Sequence, residues 1–401
     1  MTVAVPSDDV PCKSFLEVDP VRIDLNGISL SYGSKIQALS DVGLSIESGE
    51  RFAIIGPSGS GKTSLLKLVA GLEQPTRGEI QLGGKPAETI APHLRGVAMT
   101  FQTPALYPHR NVAGNIGFGL EARGVKRADR DPIVNEVANL LAVGELLDRA
   151  PDELSGGQRA RVALSRALAD KPRALLLDEP FAGLDAPKRL ALREALADLH
   201  AKFKFTMILV THDHDDATFL ADRIAVFNKG KLEQVGTPAE LFETPQTVTV
   251  ASLIGRPTLN LFPCRIGRGG RGAALLIPID ADEEAQSYLS LEGPEFDPDP
   301  ALSNRLLIAG IRPEDIRKSN KAQPAARVFQ LEGSVKRLEG VGSDAVAVIG
   351  AGCTTIRVRR PWGSTWNPGE LLTFEIDYDR IHWFDPILET RIEPQPAGVP
   401  G

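Results

Sequence analysis

The sequence predicts an α/β fold over residues 21–245 and an all-β domain over residues 246–401. Three observations predict it. Between residues 21 and 245, short apolar runs alternate with segments of helical periodicity, the pattern of a largely parallel sheet covered on both faces. One run, Phe52-Ala53-Ile54-Ile55, leads directly into Gly56-Pro57-Ser58-Gly59-Ser60-Gly61-Lys62-Thr63-Ser64, and Leu65, Leu66, Leu68, Val69 and Leu72 then recur at helical spacing. Beyond about Pro245 the texture changes to short strand-like runs between Gly and Pro turns, and all three tryptophans (Trp362, Trp366, Trp383) lie there. That pattern reads as a separate β domain, a small barrel.

Taken in order, residues 1–20 lack periodicity and read as a flexible extension. Strands are expected at 21–30 and 41–46, on either side of Ser31-Tyr32-Gly33-Ser34. The helix after the glycine loop should run to Gly71, with further strands at 79–82 and 97–101. A helical subdomain is expected over about residues 103–170. Buried strands follow at 174–178 and 205–210, with an amphipathic helix at 187–203 between them and another helix at 215–221. Residues 224–231 read as a hairpin turning at 228–230, and Thr237-Pro238-Ala239-Glu240 as a capping box that opens a short helix. In the β domain, 267–272 and 292–300 read as long loops.

Composition narrows the function. A formal net charge of −7 argues against a nucleic-acid partner held by bulk charge. No apolar run approaches the roughly 20 residues that span a bilayer. The N-terminus carries Asp8 and Asp9 and has no hydrophobic signal core, so no secretion signal is expected. Cys12, Cys264 and Cys353 are far apart and odd in number, which suits a reducing cytoplasm better than a disulfide or zinc framework.

Gly56–Ser64 fits G-x-x-x-x-G-K-S/T, the phosphate-binding P-loop. Its glycines let backbone N–H groups turn inward around a polyphosphate, and the helix that follows adds the positive end of its dipole. Lys62 should reach the β- and γ-phosphates of ATP, and Thr63 should ligate Mg²⁺. Leu154-Ser155-Gly156-Gly157-Gln158 precedes a second helix, with Ser155 as its cap and the glycines exposing its first N–H groups. Alone, such a segment is more often an ordinary capped helix. Ala174-Leu175-Leu176-Leu177-Asp178-Glu179 is an apolar strand ending in two carboxylates. Asp178 can hold Mg²⁺ through water, and Glu179 can polarise an attacking water as general base. His212 follows another buried strand, where a neutral imidazole could donate to the γ-phosphate.

The order of these motifs resembles the ATP-binding cassette (ABC) ATPases of membrane transporters: P-loop, Gln102, Leu154–Gln158, Leu177-Asp178-Glu179, Asp185 and His212. The resemblance covers residues 21–245 and implies an α/β P-loop NTPase cassette. It also implies two cassettes sandwiched head to tail, each ATP lying between one chain's P-loop and the other chain's Ser155–Gln158. A homodimer then follows unless a second cassette subunit exists. Tyr32 matches the aromatic that stacks on adenine. Gln102 matches the glutamine that senses the γ-phosphate and Mg²⁺ and links to the membrane subunits. Asp185 matches the aspartate that crosses the dimer interface.

Finer likeness points to importers of the maltose and glycerol-phosphate type. It rests on Ala105-Leu106-Tyr107-Pro108-His109, Asn115–Leu120, Gly310-Ile311-Arg312-Pro313-Glu314-Asp315 and Ile381-His382-Trp383-Phe384-Asp385. That group implies a C-terminal OB-like regulatory domain, permease subunits in the membrane, a solute-binding protein, and a peripheral position on the cytoplasmic side of the cell membrane. Thr103-Pro104 stands where the group usually has an acidic residue and an aromatic, and His214-Asp215-Asp216 replaces the usual Gln-x-Glu. These departures leave importers of polyamines, iron or oxyanions as alternatives for the solute, with a soluble non-transport ABC ATPase as a more distant one.

Overall fold

The computed structural model describes residues 18–33, 36–269, 272–278, 288–292, 302, 305–319, 328–340, 345–351, 354–361 and 363–393. Residues 1–17, Cys12, Cys353, Trp362 and nearly all of the expected 292–300 loop lie outside the described residues. The chain divides into two compact units, 1–238 and 239–401, somewhat before the change of texture near Pro245.

The first unit opens with β1 (Ile23–Tyr32), β2 (Ile36–Ile46), β3 (Arg51–Ile55), α1 (Lys62–Ala70), β4 (Arg77–Leu82), β5 (Lys85–Pro86) and β6 (Val97–Thr100). The helical segment follows as α2 (Val112–Ile116), α3 (Phe118–Ala122), α4 (Arg127–Leu140) and α5 (Gly156–Ala169). The unit closes with β7 (Ala174–Asp178), α6 (Ala186–Phe203), β8 (Thr206–Val210), α7 (His214–Leu220), β9 (Arg223–Asn228) and β10 (Lys231–Gly236).

Two sheets result. The order β10-β9-β3-β8-β7-β6 is parallel except for the β9–β10 hairpin at its edge. Its strands β7 and β8 are buried along their whole length, as expected for a sheet covered on both faces. The other sheet, β2-β1-β4-β5, is antiparallel and hydrogen-bonded separately, sharing a core with the parallel one, a division into two sheets that the alternating pattern did not reveal. β2 also begins five residues earlier than expected, at Ile36. The β1–β2 ladder carries register irregularities between Leu25 and Ser31, and Asp41 has a φ of 50°. Bulges break the two-residue alternation by which a strand is read from sequence.

Helix ends follow their capping residues. Asn111 caps α2, Ser155 caps α5, Asp185 caps α6 and Asp213 caps α7, each side chain accepting a backbone N–H of the first turn. α1 differs: its N-cap is Gly61, which offers no side-chain acceptor.

The second unit contains α8 (Pro238–Glu243) and α9 (Val248–Leu253), then β11 (Asn260–Gly269), β12 (Gly272–Pro278), β13 (Tyr288–Glu292), β14 (Leu306–Ile311) and β15 (Ile316–Lys318). It continues with β16 (Val328–Glu339), β17 (Val346–Ala351), β18 (Thr354–Arg359), β19 (Leu371–Asp377), β20 (His382–Phe384) and β21 (Arg391–Ile392). Two antiparallel sheets form, β13-β12-β11-β14-β20-β21 and β15-β19-β16-β17-β18. Their apolar faces share a core that includes Phe262, Cys264, Phe329, Phe374, Trp366 and Trp383. Cys264 is a free, buried thiol, which burial pushes up to about 12. α9 falls where the sequence suggested strands and turns; Thr247 starts it by accepting from Val250 N. Arg312 is buried against this helical segment. It donates to Ile254 O at 2.5 Å and Phe242 O at 2.9 Å, and its guanidinium lies 4.0 Å from the Phe242 ring centroid.

Candidate active site

Parallel register assembles the site. Thr100 of β6 pairs with Leu177 of β7, Asp178 of β7 with Val210 of β8, and Ile54 of β3 with Val210. The residues just beyond these four strands therefore emerge side by side at the carboxyl edge of the sheet, where open α/β folds bind their ligands. From β6 comes Gln102, from β7 Glu179, from β8 His212, and from β3 the Gly56–Ser64 loop.

The loop is shaped by what its glycines avoid. A Cβ on Gly56 would lie 2.1 Å from Phe227 O, and one on Gly61 would lie 2.5 Å from Ala38 O. Gly61 also holds a φ of 99°, open to glycine and strained for other residues. Lys62 folds back under the loop and is 6% exposed. Its Nζ donates to Gly56 O at 2.9 Å, Pro57 O at 2.8 Å and Ser60 Oγ at 3.4 Å. Burial pulls this ammonium below the ordinary lysine range, while the Glu179 and Asp178 carboxylates oppose the shift. Tyr32, half-exposed, places its hydroxyl 3.3 Å from Ser64 Oγ, so the expected adenine-stacking ring stands next to the loop.

Thr63 Oγ1 donates to Asp178 Oδ1 at 3.1 Å. Burial raises Asp178 above the usual carboxylate range; the Thr63 hydrogen bond lowers it, and neighbouring Glu179 raises it further. A hydroxyl and a buried carboxylate, with an amide oxygen available from Gln102, make an all-oxygen donor set suited to a hard cation such as Mg²⁺. The uncapped first turn of α1 and the buried Lys62 suit the phosphates. The residues thus fit both ATP and Mg²⁺.

Glu179 adopts a φ of 46°, uncommon for a non-glycine residue, with its N–H bonded to Val210 O at 2.9 Å. Its Oε2 accepts from Gln102 Nε2 at 3.1 Å and lies 3.2 Å from His212 Nδ1. Both contacts fall on one oxygen, Oε2. The sequence suggested that a neutral His212 could donate to the γ-phosphate. Here His212 Nδ1 stands 3.2 Å from Glu179 Oε2, and the nitrogen that carries the proton sets what the other can donate.

Ser155 and Gln158 form a reciprocal capping box: Gln158 N donates to Ser155 Oγ at 3.3 Å, and Ser155 N donates to Gln158 Oε1 at 2.8 Å. Gly156 has open space where a Cβ would stand, and a Cβ on Gly157 would come 3.3 Å from the Lys188 side chain. Asp185 accepts from Lys188 N and pairs with its ammonium. These hydrogen bonds close within their own segments, apart from the cluster around Lys62 and Glu179. Sequence reasoning missed a group behind His212, namely Arg189, Arg193, Asp213 and Asp216. Its only sequence signal is two arginines four residues apart on one helix, opposite an acidic helix start.

The ABC transporter family matches residues 39–182, and the TOBE domain family matches residues 309–384. The chain is 40% identical, over 92% of its length and 99% of the relative's, to the sn-glycerol-3-phosphate import ATP-binding protein UgpC of Burkholderia thailandensis. It is 38% identical to UgpC 2 of Agrobacterium fabrum, over 93% of this chain and 95% of that one. Among solved structures it is similar to cbiO1 from Clostridium perfringens, part of the ABC transporter complex cbiONQ. There the TM-score is 0.52 at 28% identity, covering 55% of this chain and 90% of that one. With near-full-length relatives at this identity, and with an α/β ATPase cassette followed by an all-β, OB-like TOBE domain, the chain belongs to the ATP-binding cassette transporter family as an ATPase subunit.

Proposed function

We propose that the chain drives import of a sugar phosphate of the sn-glycerol-3-phosphate kind, as a homodimer of cassettes bound to permease subunits on the cytoplasmic side of the membrane. A solute-binding protein would deliver the solute. The names of near-full-length relatives favour this solute over polyamines, iron or oxyanions. Among the described residues no helix is long and apolar enough to cross a membrane, so the pathway would come from other subunits.

The observation that carries the hydrolytic reading is the meeting of Gln102, Glu179 and His212 at one carboxylate oxygen. Tyr32 would stack on adenine, and the backbone of Gly56–Ser64 would wrap the phosphates. The Lys62 ammonium would bind the β- and γ-phosphate oxygens, where its charge counts most in a water-poor setting. Thr63, Asp178 and Gln102 would hold Mg²⁺, which when bound supplies positive charge to the phosphate oxygens. Glu179 Oε1 would take a proton from water as the water oxygen bonds to the γ-phosphorus. The bond to the β–γ bridging oxygen breaks, leaving ADP and phosphate. Gln102 and His212 would orient the Glu179 carboxylate. Ser155–Gln158 of the second chain would complete the phosphate shell, and Asp185 would cross to that chain.

Glu179→Gln tests this. It keeps shape and hydrogen bonding and removes basicity, a loss that typically costs about 10²–10⁴-fold in rate with little effect on ground-state binding. The variant should bind MgATP and accumulate as an ATP-bound dimer in size-exclusion chromatography with light scattering. Tight binding without dimerisation, at wild-type turnover, would refute the base and the shared site together. In vesicles holding permease and binding protein, wild type should accumulate sn-glycerol-3-phosphate on ATP addition. Hydrolysis with no sugar-phosphate uptake would reject the solute and leave the ATPase standing.

A further inference from the structure

Behind His212 lies an ion-pair cluster with no direct part in the chemistry above. Asp216, on the first turn of α7, has a side chain 1% exposed. A carboxylate this deep must be compensated or it would be strongly destabilising. Two arginines from α6 compensate it. Arg189 Nε donates to Asp216 Oδ1 at 2.8 Å, and its Nη2 meets Oδ2. Arg193 Nη2 reaches Asp216 Oδ1 at 2.5 Å. Arg189 Nη2 also pairs with Asp213 Oδ2 at 2.8 Å.

The same cluster grips the residues on either side of His212. Thr211 Oγ1 donates to Asp216 Oδ2 at 3.3 Å, and Asp213 N donates to Thr211 Oγ1 at 3.1 Å. Thr211 N is tied to Ile54 O at 3.2 Å. His212 itself is exposed, with 64% of its side chain accessible, and its ring nitrogen Nδ1 stands against the Glu179 carboxylate. An exposed ring on the three-residue turn between β8 and α7 has rotamers to spare, so its position depends on the backbone beneath it. That backbone is fixed by Thr211 and Asp213, and both are fixed by Asp216 and Arg189.

We propose that Asp216, with Arg189 and Arg193, is a positioning residue for hydrolysis. It holds the Thr211–Asp213 turn so that His212 stays against Glu179, and it anchors that turn to α6, the helix that Asp185 opens. Charged, mutually oriented hydrogen bonds suit this task because a bidentate guanidinium fixes direction as well as distance. Through α6, the same anchor ties the His212 turn to the segment expected to face the second cassette. The proposal rests on the assigned roles of Glu179 and His212, and its test separates the two.

The measurement is steady-state ATPase of the full-length chain for wild type, Asp216→Asn, His212→Ala and the double variant. Displacing a catalytic group by about an ångström can cost up to about 10²-fold, so Asp216→Asn should lose about 10- to 100-fold in kcat. KM for ATP should stay within about twofold, because the nucleotide-binding loop is untouched. In the His212→Ala background the Asp216→Asn change should cost little more, since a positioning residue has nothing left to position. Asp216→Glu should restore most of the lost rate by keeping the charge. If Asp216→Asn does not fold, Arg189→Gln is read by the same cycle. Equal losses in both backgrounds, or a folded Asp216→Asn with wild-type kcat, would overturn the proposal. His212→Ala with wild-type turnover would instead overturn the assigned role of His212.

Discussion

Each unit buries a cation against main-chain carbonyl oxygens, and the two cations serve opposite ends. In the first unit Lys62 Nζ is held by Gly56 O and Pro57 O. In the second, Arg312 is held by Ile254 O and Phe242 O, at the ends of α9 and α8. Burial depresses both, Lys62 in direction and Arg312 down to about 10, so both charges are held at a cost. The difference lies in the partners. The carbonyls around Lys62 belong to a loop, and an ammonium on a flexible stem can exchange them for phosphate oxygens. Arg312 presents a planar fork, stacked on Phe242, to carbonyls at helix C-termini where the helix dipole favours a cation. The first arrangement leaves a charge free to act on a ligand; the second joins two short helices to a β-core.

Exchanging the charges for methyl groups would break this comparison most directly. Lys62→Ala should lower ATP turnover by about 10²–10³-fold, as loss of an electrostatic donor in an active site does, while the chain still folds. Near wild-type turnover would show that the loop does not bind the reacting phosphates. Arg312→Ala should do the reverse. Leaving buried carbonyls unpaired costs about 1–3 kcal/mol, so the second unit should melt earlier in a denaturant titration while the affinity for ATP holds. Unchanged stability together with weakened ATP binding would reverse the division of roles.

A pH effect sharpens the same contrast. His382, on β20, is pulled from the ordinary 6.5 to about 4, first by burial and then by the charges of Arg312 and Arg391. Its folded pKa lies below its unfolded one, so its contribution to stability is full above about 6.5 and is lost as pH falls toward 4. The second unit should lose up to about 3 kcal/mol of stability across that window. His382→Gln should flatten the slope in pH-dependent denaturation. Identical slopes in wild type and variant would mean that this imidazole is not buried neutral.

The amino-acid sequence alone determined the parts whose chemistry is local. The phosphate loop is read from Gly56, Gly61, Lys62 and Thr63 in one run, and the Ser155 cap from a single residue before a helical period. β7 was legible to the residue because an unbroken apolar run ends in Asp178. The β1–β2 ladder was harder to read because bulges interrupt its alternation, and α9 because six residues give too little period to detect. Only the tertiary structure brought Gln102, Glu179 and His212 to one oxygen. They are separated in the chain by 77 residues for Gln102 and Glu179, and their meeting depends on the strand order β8-β7-β6 and its parallel register. It also decided that Asp216 is enclosed by Arg189 and Arg193 and that Arg312 is enclosed by helix ends. A residue's charge is written in the sequence, whereas its burial and its partners depend on which distant segments pack around it.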